Sequence, residues 1–229
     1  MEFERIFGLL DVTADFRTCV PRWKQLLKIN RLGTDQWKLR RLSYCKREFG
    51  AEDEREFLLL EFSSTPDLPT AKICVEHLPR AKFVGNGAVV LLREPVSDLD
   101  LLCHTTMPYD TVSFFIPGSK QEKKFETAHQ PYRALSTSQY PEGIVAPTAL
   151  QMSLLFCVAS TATIHRDPCH TQERCMLLPV ITGCLSKLFP TSAVEGSAPR
   201  GTLSEIEEAV QHNWEMEMVR GEMHLALFV

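Results

Sequence analysis

The most promising residue for chemistry in this sequence is Cys175, near the expected start of a C-terminal helix. Thr171 fits the N-cap position of that helix, and Arg174 lies beside the cysteine. A helix N-terminus and a neighbouring cation both favour the thiolate, which is the nucleophilic form of cysteine. The alternative is an ordinary buried cysteine on an apolar helix, and position alone favours that alternative. Cys175 is therefore a candidate catalytic nucleophile that needs a base.

Three histidines could supply that base. His77 falls in a predicted strand, and a hairpin turn over residues 62–72 would place it roughly opposite Phe57. His165 and His170 fall in a predicted polar loop just before the cysteine. We take His77 as the first candidate base and His170 as the second. The alternative for His77 is a histidine at a strand edge with a solvent or backbone partner. The alternative for His165 and His170 is a polar loop without a catalytic role.

The cysteines do not point to a metal site or to disulfides. The chain has eight cysteines and no CxxC pair. Cys169, His170 and Cys175 follow His165 in the spacing H-x3-C-H-x4-C, which matches no standard structural zinc site. Dispersed cysteines without a secretory signal are typical of reduced thiols in a cytoplasmic protein. We expect no metal, no cofactor and a cytoplasmic location, with Cys74 and Cys157 as core residues.

Composition excludes some partner classes. The chain has 229 residues, of which 44% are hydrophobic, and a net charge of −4. This balance gives no reason to expect nucleic acid, and we interpret the local basic run on a strand as a solvated face. The most apolar window, residues 148–164, is shorter than the about 20 residues that span a bilayer. We expect no membrane span, and a small molecule or a protein as the partner. The basic run comprises Lys38, Arg40, Arg41, Lys46 and Arg47.

Hydrophobic periodicity predicts an α+β fold. Helical spacing over residues 3–29, with a break at Pro21, precedes strands at 36–46, 56–62, 71–78, 88–93 and 111–116. The short connection between the second and third strands makes that pair antiparallel. Residues 119–147 are polar and contain several prolines, which predicts a long mobile loop.

Helices are predicted for the rest of the chain. An apolar helix follows Pro147, and a second helix extends to Pro190 with Leu177, Ile181, Cys184 and Leu185 on its inner face. Pro179 would kink that second helix. A Thr202 to Glu205 capping box starts a final helix that ends near Gly221.

These elements give an architecture with one domain. We predict an antiparallel sheet of four to five strands packed against a C-terminal helical pair, with an N-terminal helix and a final helix. Residues 1–189 form the α+β domain, residues 190–201 a linker, and residues 202–229 the C-terminal helix and tail.

The order of strands, apolar helix, polar loop and cysteine-bearing helix resembles an uncharacterised family of proteins from mushroom-forming fungi. That family shows a His-Glu-Phe strand and, later, a cysteine followed by aromatic residues at a helix start. Its order in turn resembles circularly permuted papain-fold enzymes of the lecithin:retinol acyltransferase-like type. The resemblance covers residues 36–190. It implies a papain-like fold with the histidine strand first and the nucleophile last.

The match is uneven at the residues that carry catalysis. The run Arg55-Glu56-Phe57 aligns with the His-Glu-Phe strand, so Arg55 stands where the resemblance implies a general-base histidine. Arginine cannot act as a base at neutral pH. The run Glu173 to Leu177 aligns with the cysteine segment and lacks its aromatic residues.

Three functions follow from these observations. The first is a non-catalytic or degenerate member of a papain-like fold that acts as a binding or accessory protein. The second is a thiol-dependent hydrolase or acyltransferase, in which Cys175 attacks an amide or ester and His77 or His170 transfers the proton. The third, which the resemblance allows, is an accessory protein of fungal secondary metabolism. Arg55 at the base position favours the first.

Overall fold

Antiparallel β-structure forms the centre of the molecule. The computed structural model describes residues 17–29, 34–47, 56–64, 70–78, 81–83, 89–91, 109–166, 177–190, 193–196 and 204–226. The strands are β1 (Arg17–Cys19), β2 (Lys38–Arg47), β3 (Glu56–Ser63), β4 (Ala71–Leu78), β5 (Ala81–Phe83), β6 (Val89–Leu91), β7 (Tyr109–Phe115), β8 (Tyr132–Gln139) and β9 (Ala193–Gly196). Seven of them form one sheet in the order β1-β7-β4-β3-β2-β8-β9, and β5 pairs with β6.

Five helices complete the described part of the fold. They are α1 (Val20–Ile29), α2 (Lys120–His129), α3 (Ala149–Arg166), α4 (Leu177–Leu188) and α5 (Ser204–Ala226). Every pairing within the large sheet is antiparallel. The predicted α+β class is therefore confirmed, with more strands in the sheet than the four to five expected.

The main hydrophobic core lies between one face of the sheet and helices α1, α3, α4 and α5. The Trp23 ring of α1 lies 6.4 Å from Phe114 of β7 and 6.0 Å from Phe156 of α3. All three side chains are buried. Burying large aromatic rings in this way supplies much of the apolar area that stabilises a domain of this size.

Strand β2 departs from strict alternation of its two faces at a bulge. Its pairing with β3 shifts register between Leu39 and Arg41. Leu39 therefore joins Leu42 and Tyr44 in the main core, although strict alternation would place it on the face of Arg41. A bulge inserts one extra residue and exchanges the two faces of a strand from that point on.

The prediction of a mobile loop over residues 119–147 is wrong, because this segment contains α2 and β8. Ser119 caps α2, and its hydroxyl accepts a hydrogen bond from the Glu122 backbone amide. Strand β8 lies inside the sheet, between β2 and β9. Both elements contain few apolar residues, so their sequences lack a clear hydrophobic period. In α2 only Phe125 and His129 are among the side chains described as buried.

Three other boundaries differ from the sequence-based expectation. Residues 17–19 form a strand where a helix was expected, and α1 begins at Val20, so Pro21 lies in its first turn. Helix α3 extends to Arg166, into the predicted polar loop. Pro179 is the third residue of α4, in the first turn, where its missing N–H removes no intrahelical hydrogen bond.

The C-terminal part of the chain is tied to the rest of the fold. Residues 190–201, expected as a linker, contain β9, which pairs with β8 between Ser136 and Gln139. Helix α5 extends to Ala226, past the expected end at Gly221. Its Trp214 indole donates a hydrogen bond to the Gln151 carbonyl of α3 at 3.2 Å. No helix among the described residues is long and apolar enough to cross a membrane.

Candidate functional site

Most of the predicted catalytic residues lie outside the described residues. These are the nucleophile Cys175 and the second candidate base His170; Arg55, which stands where the resemblance implies a histidine, also lies outside them. His165 belongs to α3 by its backbone. The proposed contact between Cys175 and a histidine therefore stays a prediction.

The backbone position of the first candidate base, His77, is known. In the β3–β4 pairing the residue opposite Phe57 is Glu76, and His77 pairs with Asp110 of β7. The predicted register, with His77 opposite Phe57, is wrong by one residue. Because side chains alternate between the two faces of a strand, this shift puts Glu76 on the face of Phe57.

The described structure brings a different set of reactive groups together, beneath α2. The α2 face is the side of the sheet that α2 covers. Four buried residues lie side by side across this face on neighbouring strands: Cys45, Phe57, Glu76 and Thr111. Cys74, two positions from Glu76 along β4, lies on the same face and is also buried.

Helix α2 adds two residues one turn apart, Phe125 and His129, and both are buried. The Phe125 ring stacks on Phe115 at 4.8 Å and meets Phe57 edge-on at 5.7 Å. The His129 ring stacks on Phe125 at 4.2 Å and meets Phe57 at 5.1 Å. These contacts hold the imidazole in an aromatic environment.

Both ring nitrogens of His129 have partners. Nδ1 lies 3.0 Å from the Phe125 carbonyl oxygen, and Nε2 lies 3.2 Å from Oε2 of Glu76. A carbonyl oxygen only accepts, so Nδ1 carries a proton and donates it. One further proton must then lie between Nε2 and Oε2, since two lone pairs facing each other would repel. The pair is either imidazolium with carboxylate or neutral imidazole with a carboxylic acid.

The Cys45 thiol on this face is not poised for nucleophilic attack. Burial raises the pKa of Cys45 to about 12, against a smaller opposing effect of Arg41. Its Sγ donates to the Ser43 carbonyl at 3.8 Å. A catalytic cysteine needs the opposite environment, one that lowers its pKa.

An ion pair lies on the same face. Lys72 Nζ lies 2.7 Å from Oε1 of Glu122, whose other oxygen accepts the Gly118 amide at 2.6 Å. For Lys72, burial lowers the pKa, but the bond to Glu122 and nearby negative charge outweigh it, so the pKa is raised. For Glu122, burial raises the pKa, but Lys72 and the Gly118 amide lower it overall. Both groups are therefore held in their charged forms.

Tyr132 lies close to both parts of the α2 face. Burial and the neighbouring Cys45 thiol raise its pKa, with a smaller opposing effect of Lys72. Its ring meets Phe57 edge-on at 5.3 Å. The phenol is thus held neutral. It can donate a hydrogen bond but does not serve as a base near neutral pH.

Within the described ranges, no group of three or more His, Cys, Asp and Glu side chains is arranged to hold a metal ion. The zinc candidates Cys169, His170 and Cys175 fall outside those ranges. The reactive groups described on the α2 face are the His129–Glu76 pair, the Lys72–Glu122 ion pair and the protonated thiol of Cys45.

Comparison with family models, curated proteins and solved structures gives no match.

Glu76 and His129 are not among the residues that the sequence pattern indicates as functional. A signal for Glu76 exists, because Lys72, Cys74 and Glu76 alternate with apolar Ile73 and Val75 in the strand. That alternation assigns Glu76 to the less apolar face. A signal for His129 would have required α2 to be recognised first.

Proposed function

We propose that this chain is a non-catalytic α+β protein, a degenerate member of a papain-like fold that acts as a binding or accessory protein. The observation that carries the proposal is the occupancy of both ring nitrogens of His129 by the Phe125 carbonyl and Glu76. A general base needs a free nitrogen lone pair within reach of the proton it removes. His129 offers none to a thiol.

The Cys45 thiol on the same face of the sheet supports the same proposal. With a pKa of about 12, Cys45 stays protonated at physiological pH. Cys74 is completely buried between β3 and β7. Cys45, His129 and Glu76 are all buried beneath α2, and the histidine and the carboxylate bond to each other. We therefore interpret these three residues as structural.

A hydrolase that uses Cys175 is the second candidate. The observation that favours it is the start of α4 at Leu177, only two residues after Cys175 in the sequence. A thiol at a helix N-terminus has a lowered pKa. The base would be His77 or His170.

Cysteine labelling across pH distinguishes the two proposals. The native protein is treated with iodoacetamide between pH 6 and 10, and labelling at each cysteine is measured by mass spectrometry. A non-catalytic chain predicts that Cys175 titrates near its ordinary value of about 8.5 or above, with no selective labelling. Selective labelling with a midpoint below about 7.5 would contradict the proposal and support the hydrolase.

An activity measurement completes the test. Hydrolysis of p-nitrophenyl acetate is compared between the wild-type protein and Cys175→Ala, with Cys157→Ala as the control for loss of a half-buried thiol. We expect the three rates to agree within about twofold. A burst of product that Cys175→Ala alone abolishes would refute the non-catalytic proposal.

A further inference from the structure

One face of helix α5 packs against the rest of the fold. Ile206, Val210 and Trp214 recur every four residues and are all buried. Trp214 donates to the Gln151 carbonyl, and its ring meets Phe189 edge-on at 5.8 Å. This stripe fixes α5 against α3 and α4.

A second apolar stripe lies on the other side of the same helix. Met216 and Val219 are 45% and 51% exposed, and they account for two of the four exposed large hydrophobic side chains in the described part of the chain. At about 100° per residue, both positions point away from the Trp214 side. Met223 follows seven residues after Met216 in the helical sequence. The positions 216, 219 and 223 therefore have the a, d, a spacing of a coiled-coil seam.

The charges that flank this stripe are complementary to a second copy of the same helix. With Met216 at an a position, Glu215 occupies position g and Arg220 occupies position e. Both residues are exposed. In a parallel pair, g of one helix meets e of the other five residues on, so Glu215 faces Arg220 of the partner copy twice. An antiparallel pair would place Glu215 against Glu215 and Arg220 against Arg220.

We propose that the second half of α5 is a self-association surface, on which a second copy of this chain docks in parallel around a two-fold axis. The local contacts of the charged residues, Gln211 with Glu215 and Glu217 with Arg220, are exposed and weak, so they exchange at little cost. The inference goes beyond the proposed function and does not depend on it.

The seam is short, so the dimer is weak and concentration-dependent. The exposed apolar side chains described on this face, Met216 and Val219, bury less area than a standard stable interface. Sedimentation equilibrium between about 1 and 200 μM should show the average mass rising from 26.0 kDa toward twice that value.

Charge variants test the orientation. We expect Glu215→Arg and Arg220→Glu each to weaken association at least tenfold, because each creates two like-charge contacts across the seam. The double exchange restores the pairs and should return the affinity to within about threefold of the wild type. Restoration is the outcome that a merely structural effect on the helix would not give.

Apolar variants test the seam itself. Met216→Glu combined with Val219→Glu should abolish association, since both side chains are exposed and their replacement leaves the core intact. Ile29→Glu, which changes an exposed apolar side chain on α1, is the matched control and should leave association unchanged. Circular dichroism verifies that every variant is folded.

Two outcomes would overturn the proposal. One is a wild-type chain that stays monomeric at 200 μM, which would leave the stripe to a different partner. The other is association that persists in the Met216 and Val219 variant, which would place the interface elsewhere. Neither outcome bears on whether Cys175 is catalytic, because that is decided by labelling.

Discussion

His129 and Glu76 lie 53 residues apart in the sequence, and their side chains meet beneath α2 with Nε2 at 3.2 Å from Oε2. The exposed fractions of the two side chains are 8% and 4%. This contact joins the last turn of α2 to a central strand of the sheet. It therefore fixes where α2 ends on the sheet as well as satisfying two buried polar groups.

Removing the Glu76 carboxylate should lower the free energy of unfolding by an amount that depends on the residue that replaces it. We expect Glu76→Ala to cost about 1–3 kcal/mol, because it leaves the buried Nε2 of His129 unpaired. Glu76→Gln keeps a hydrogen-bond donor for neutral imidazole and should cost less than about 1 kcal/mol. Urea unfolding measures both. Glu142→Ala, at an exposed position, is the control, and equal effects of Glu76→Ala and Glu142→Ala would contradict the prediction.

Stability should fall at alkaline pH. Burial raises the pKa of both Cys45 and Cys184 from 9.0 to about 12, and that of Tyr140 from 10.0 to about 12. Above pH 9 the unfolded chain loses protons that the folded chain keeps, so the free energy of unfolding decreases as the pH rises. Each buried thiol contributes up to about 1.4 kcal/mol per pH unit in this range.

Cysteine variants test the alkaline prediction. Urea unfolding between pH 8.5 and 10.5 should give a less steep pH dependence in Cys45→Ala and in Cys184→Ala than in the wild type. Cys157→Ala, at a half-buried position, is a comparison for the loss of a thiol as such. A free energy of unfolding of the wild type that stays constant from pH 8.5 to 10.5 would contradict the prediction.

Gly183 and Glu207 should show energetic coupling. A Cβ atom at Gly183 would collide with the Glu207 carboxylate, which lies 2.8 Å from Lys187 Nζ. In the wild type, Gly183→Ala would have to displace the Glu207 carboxylate, and the cost of that displacement opposes the gain in helix propensity. In a Glu207→Ala background the same change should stabilise by about 0.5–1 kcal/mol.

A double-mutant cycle in urea measures this coupling. Ser186→Ala, on the exposed side of α4, serves as the control and should have the same effect in both backgrounds. An equal effect of Gly183→Ala with and without Glu207 would show that the carboxylate does not restrict this position.

Thr148 should matter for the start of α3. Its hydroxyl accepts the Gln151 amide at 3.1 Å, and the Gln151 side chain accepts the Thr148 amide at 2.8 Å. Thr148→Ala breaks one half of this reciprocal cap and should cost about 1 kcal/mol, whereas Thr148→Ser keeps the hydroxyl and should cost less. Thermal unfolding compares the two variants, and equal melting temperatures would disprove the role of the cap.

Local pattern was sufficient to predict the strongly apolar elements. The alternating or continuous apolar runs of β2, β3, β4 and β7, and the apolar α3, were predicted from sequence and confirmed. Helix α2 and strand β8 were missed because few of their residues are apolar. Their stability comes from partners elsewhere in the chain, as when Ser43 of β2 lies 3.3 Å from Thr137 of β8.

The buried polar pair was missed for a related reason. A buried glutamate is stable only with a partner, and the partner of Glu76 is on a helix that the sequence did not predict. The bulge at Leu39 and Arg41 also has no local signal, because it depends on how two strands pair. The candidate residues that sequence favours, Cys175 and His170, lie outside the described residues and stay predictions.

Strand β9 has a consequence for how this chain is synthesised. Residues 136–139 of β8 pair with β2 on one side and with β9 on the other, and the β9 residues come more than 50 positions later. While the chain emerges from the ribosome, that edge of β8 stays open until residue 196 is available. An open edge is a template for pairing with other nascent chains. Truncation before residue 193 removes β9 together with α5, so we expect it to leave this edge open and to send the protein into inclusion bodies.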